Sequence, residues 1–183
     1  LQLTAEYRSW SHHAPGATLD DTLAALEQRD PGDDVFTVIG LTSSVGLAMA
    51  TFEQLGYASV GGNHLVLRGY ADEAERAAFD RMFPKLSAEE RDALHAARRQ
   101  HELTTLLLHE LGHNLGLPHE TSSDAIMNAM YSQHAATFSE QDRGVMLLAI
   151  ARRLHGPDGG APVAAQAPPG GPANSAIGCQ AYL

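Results

Sequence analysis

Cysteine is nearly missing from this chain of 183 residues: Cys179 is the only one. A lone thiol closes no internal disulfide, so no disulfide framework holds the fold and cysteine usage leaves the compartment open. Basic surface is lacking too. Twelve Lys and Arg stand against 22 Asp and Glu, a formal charge of -10 with a pI near 5.3. That balance argues against nucleic acid or an anionic membrane as the main partner, because both attract basic patches. Eleven of the basic residues are Arg and only Lys85 is Lys, a bias that matches the abundant alanine and carries no functional weight. No run approaches the roughly 18 apolar residues of a membrane span, and no internal repeat is visible. The chain opens on Leu1 instead of Met, as expected of a processed or trimmed chain whose signal or pro-segment would lie upstream. What is present, 44% hydrophobic residues, suffices for one domain with a sizeable core that a cleft can divide into two lobes. We expect a monomer.

Local signals give the elements. LQLTAEYRSW offers a short strand, and Thr18 with Asp21 makes a capping box for a helix carrying Leu19, Leu23 and Leu26, stopped by Asp30-Pro31. VFTVIGLTSS, residues 35–44, is an apolar, β-rich run and predicts a buried, central strand. YASVGGNHLVLRGY, residues 57–70, reads as two extended pieces around Gly61-Gly62, with an edge strand at Asn63 to Leu67. ADEAERAAFDRMF predicts a short amphipathic helix ended by Pro84, and Ser87 with Glu90 caps the next one. No Gly or Pro interrupts Ala88 to Leu111, so one long helix or two abutting ones run that far before Gly112 and Gly116 weaken the pattern. Residues 120–138 read as irregular loop, and Ser139 caps a last helix with Val145, Leu148, Ala149 and Arg152 on one face. The 28 residues from Gly156 hold six Gly, five Pro, seven Ala and one charge, Asp158, the composition of a flexible tail.

The chemistry concentrates in HELGHNLGLPH, His109 to His119. Residues four apart share a helix face, so His109 and His113 can present imidazoles to one ion while Glu110 points at water beside it. A helix with surface histidines is the bland alternative. Against it, Gly116 stands three residues after His113, where glycine lets the chain turn sharply, and His119 returns three residues later to complete a three-nitrogen shell with a fourth position open. LTTLLL, residues 103–108, is apolar enough to bury the helix.

This stretch resembles the HExxHxxGxxH signature of the metzincin metallopeptidases, whose five fixed positions are met by His109, Glu110, His113, Gly116 and His119. Metzincins also carry a methionine turn under the metal. AIMNAMY, residues 125–131, supplies Met127 eight residues after His119, a spacing similar to the matrixin branch, with Met130 as the alternative. Ala129, Met130 and Tyr131 would then form the wall of the pocket for the first side chain after the scissile bond. Glu120 is astacin-like, whereas Leu117 replaces the astacin Phe and Tyr131 lies four residues beyond Met127, so Tyr131 is not assigned to the metal.

The resemblance implies an α+β catalytic domain over residues 1–155. Its upper lobe (1–116) has a twisted mixed sheet with an antiparallel edge strand, and its lower lobe (117–155) ends in a helix; residues 156–183 form the tail. It implies one Zn²⁺ held by His109, His113 and His119, with Glu110 as general base and then general acid in peptide hydrolysis. The substrate is a protein or peptide lying antiparallel to the edge strand, with Gly62, Asn63, His64 and Leu65 as its contacts. Secretion is expected of such an enzyme. Two alternatives stand beside this one: a non-catalytic zinc-binding module, and a latent enzyme whose tail brings Cys179 to the open metal position. His12-His13, His95, His101, His134 and His155 lack ligand spacing and read as surface or core-edge residues, and the acidic pairs Asp20-Asp21 and Asp33-Asp34 as helix-start and loop residues.

Overall fold

The computed structural model describes residues 4–11, 17–33, 35–42, 54–68, 73–155 and 176–180. Helices α1 (Leu19–Arg29), α2 (Glu73–Met82), α3 (Ala88–Asn114) and α4 (Glu140–His155) accompany strands β1 (Val38–Thr42), β2 (Gln54–Ser59), β3 (His64–Arg68) and β4 (Ala176–Gln180). The fold is α+β. The capping boxes form as expected: Thr18 and Ser87 each accept from the third helical N–H, and Asp21 and Glu90 reach back to the cap. His12-His13 lie outside the described residues, and residues 4–11 form no strand.

The sheet order is β1-β3-β2-β4; β1 runs parallel to β3, while β2 is antiparallel to both β3 and β4. Two expectations change here. The apolar 35–44 run is not central among the described residues: β1 lies at the margin of the described sheet, and Ile39 and Leu41 are 43% and 55% exposed. The edge expected at Asn63 to Leu67 is instead β3, paired on both sides and buried throughout. Strand order rests on pairings distant in sequence, which local apolarity does not encode.

Alternation along β3 divides the core. Val66 joins Leu19, Leu23 and Leu26 of α1 on one face, while Leu65 and Leu67 join Ala58 and Leu106 of α3 on the other. The sheet is therefore sandwiched between α1 and α3. At the far end Arg153 of α4 donates to the carbonyls of Phe36, Gly62 and Asn114 and stacks on the Phe36 ring. This arginine ties the last helix to the end of α3. The expected apolar face of α4 is shallower than its pattern suggested, since Val145 is 36% exposed and Asp142 is its one buried residue among those described.

The stretch read as tail contributes β4. Its register against β2 pairs Gln54 with Gln180, Tyr57 with Gly178, Ala58 with Ile177 and Ser59 with Ala176. Between the first two pairs β2 advances by three residues and β4 by two, so β2 carries one extra residue, a bulge. The bulge lies beside the site.

Candidate active site

Seven of the ten residues from Thr105 to Asn114 are buried, including His109, Glu110 and His113. The helix then ends in a Schellman turn: Gly116 N–H donates to His113 O at 2.8 Å and Leu117 N–H to Gly112 O at 2.9 Å, with Gly116 at φ +90°. A side chain is strained at that φ, so glycine is what permits the reversal. The reversal carries His119 back over the helix. Nε2 of His113 lies 3.0 Å from Nε2 of His109 and 3.2 Å from Nε2 of His119. Three nitrogens each about 2.05 Å from a tetrahedral zinc would lie about 3.3 Å apart, so these residues fit the ion and could hold one.

Backbone carbonyls fix the ring orientation. Nδ1 of His109 lies 2.6 Å from Ile126 O, and Nδ1 of His113 lies 2.8 Å from Leu117 O. An Nδ1–H donating to each carbonyl leaves the Nε2 lone pairs facing the common point. Burial favours the neutral rings, lowering His109 to about 4 and His113 to about 3; His119, half-buried, is also lowered by desolvation. Neutral imidazole is the form that binds metal.

Glu110 is wholly buried beside the triad, and Gly56, in the bulge of β2, lies against it. A Cβ on Gly56 would sit 2.6 Å from Glu110 Oε1, so the strand passes the carboxylate only because that position has no side chain. The sequence reading missed Gly56. A glycine in a strand signals close approach, but not to what.

Met127 is fully buried against Gly112, whose Cβ would meet its sulfur and come within 3.1 Å of its methyl. Gly112, first read as weakening the helix, is thus what lets the 117–138 loop pack under it. Glu120 N–H donates to Met127 O at 2.8 Å and pins that loop from its start. Met130 is half exposed.

Ala129, Met130 and Tyr131 do come together, lining a largely apolar pocket with Leu55, Thr105, Leu106 and His109. Tyr131 OH lies 2.8 Å from His101 Nδ1 at the pocket wall, a contact that gives His101 a place its spacing did not announce. Gly62, Asn63, His64 and Leu65 go elsewhere. His64 Nε2 lies 2.5 Å from Asp30 O, Asn63 donates to Gly32 O, and Leu65 is in the core, so the interior strand offers no open edge. Cys179 belongs to β4, and its side chain lies outside the described residues.

Asn114 was also missed. Wholly buried, it donates to Ser59 O at 3.0 Å and His64 O at 2.8 Å and accepts from Thr37, joining the residue after His113 to both strands of the hairpin. Its signal is the position alone, one residue beyond a ligand on the same buried helix.

The Matrixin family model matches residues 51–147, more than half of the chain. The chain belongs to the matrixin family. This matrixin match spans β2, β3, α2, α3 with its histidines, the loop holding Met127 and the first half of α4. The family is one of zinc metallopeptidases, and the histidine triad fits a metzincin zinc-binding motif. No curated protein and no solved structure gives a match. No helix among the described residues is long and apolar enough to cross a membrane.

Proposed function

We propose that this matrixin is a secreted zinc endopeptidase with one catalytic ion, and that residues 1–155 are its catalytic unit with the cleft between residues 1–116 and 117–155. The observation that carries the reading is the convergence of three Nε2 atoms at 3.0 and 3.2 Å beside a wholly buried Glu110. A metal site without catalysis would not need that carboxylate.

His109, His113 and His119 would hold the ion. Zinc, when bound there, supplies a Lewis acid that acidifies water and polarises the scissile carbonyl. Glu110 accepts a proton from the attacking water as its oxygen bonds to the carbonyl carbon, then returns the proton to the amine nitrogen as the C–N bond breaks. The peptide lies antiparallel along β2, whose bulge holds main chain close to Glu110, and the pocket between Leu55 and Tyr131 accepts the side chain after the cleaved bond.

Glu110→Ala is expected to keep one zinc per chain by elemental analysis while losing hydrolysis of a quenched peptide library by roughly 10²-fold or more. His119→Ala is expected to lose the zinc. Undiminished hydrolysis by Glu110→Ala would sink the mechanism.

A further inference from the structure

We propose that residues 176–180 act as an intramolecular stand-in for the peptide, docking on the β2 edge that substrate needs and restraining access to the site. This rests on the endopeptidase reading above. β3 takes one edge of β2, and β4 covers the other, antiparallel, from Gln54 to Ser59. The covered strand is the one at the site: Gly56 lies against Glu110, and Leu55 lines the pocket with His109. Main-chain pairing at a sheet edge is how extended peptides are recognised, and it tolerates many sequences. An exposed edge is also what a fold tends to cover.

The chain has the length for it. Twenty residues separate His155, the end of α4, from Ala176. Extended, they span up to about 66 Å, more than the diameter of a domain whose radius of gyration is about 15 Å. Asp158 is the only charge from Gly156 to Leu183, so no fixed charge opposes burial of this segment in an apolar cleft. A twenty-residue connection holds its end at an effective concentration on the order of 1 mM, enough for a weak five-residue strand to raise the apparent KM about tenfold while leaving kcat unchanged.

The test compares the zinc-loaded full chain with one ending at His155 on the same quenched peptides. A KM about tenfold lower in the short chain with kcat within twofold supports the proposal, and equal KM values overturn it. Hydrogen exchange at the amides of Leu55 to Ser59 needs no turnover: protection lost on truncation supports docking, and unchanged protection overturns it. Should neither chain cleave peptides, the endopeptidase reading fails while exchange still decides the docking. Ile177→Pro in the full chain disfavours a strand at the position paired with Ala58 and is expected to behave as the truncation does. If both variants unfold, β4 is a structural strand and the proposal is wrong. Cys179→Ser is expected to keep the KM of the full chain, since the pairing is main chain; release by that change would assign the restraint to the thiol and overturn main-chain docking.

Discussion

From Ala88 to Thr104, helix α3 faces α2 and solvent, and none of its residues is fully buried; from Thr105 to Asn114 the same helix passes between the sheet and the 117–138 loop. The first part is held by a capping box and by arginine–carboxylate pairs such as Arg76–Asp92 and Arg99–Glu102, interactions that are partly solvated. The second part is held by contacts in which each atom has a fixed place: His113 and Asn114 bond to loop and strand backbone, and Gly112 meets Met127. One helix thus carries a replaceable half and a half in which volume and hydrogen bonding are both constrained. Solvated pairs contribute little. Buried polar groups are costly to leave unmatched.

Acidity should break the comparison most widely. His109 and His113, in the buried half, stay neutral down to about 4 and about 3 in the fold, whereas in the unfolded chain they protonate near 6.5. Between those values the unfolded state binds more protons, so stability falls as pH drops and rises as pH increases. At about 1.4 kcal/mol per unit, the metal-free protein is expected to lose on the order of several kcal/mol between pH 6.5 and 4, read from urea midpoints. A flat profile would mean that the rings are hydrated in the fold.

Asn114→Ala comes next. It strips donors from two strand carbonyls and is expected to cost about 2–3 kcal/mol, a fall of roughly 4–12 °C in Tm for a domain of this size. Gly112→Ala should cost about 1–3 kcal/mol by overpacking against Met127, and Gly112→Ala with Met127→Ala should cost less than the sum of the two singles. Strict additivity in that double-mutant cycle would show that the two residues do not touch. At the small end, Asp92→Ala in the replaceable half is expected to change stability by less than about 1 kcal/mol. A larger loss there would remove the contrast between the halves.

The same division governs what could be read from the sequence. Thr18 with Asp21, and Ser87 with Glu90, are contacts between residues three apart, so their spacing in the sequence is already the physical interaction. The turn at Gly116 is equally local, and with it the return of His119. Strand order is not. Whether the 35–44 run is central or marginal depends on what pairs on the far side of β1, and β2, the strand beside Glu110, is covered by a strand more than 110 residues later in the chain. Gly56 and Asn114 were silent for a related reason: each acts through an atom brought close only by the tertiary fold, Glu110 Oε1 for one and the Ser59 carbonyl for the other. Composition misled at residues 176–180, where a Gly, Pro and Ala-rich background conceals a five-residue strand.

The three imidazoles lie within eleven residues, two on successive helical turns and the third just beyond the reversal at Gly116. A chelate so short closes only small loops, and an unfolded chain can form part of it without the sheet, the methionine turn or α4. Metal therefore has a foothold in both states, and it stabilises the fold only by the difference between the two affinities. Zinc should consequently raise the unfolding midpoint by less than its affinity for the native site alone implies, and a partly denatured chain should still carry the ion.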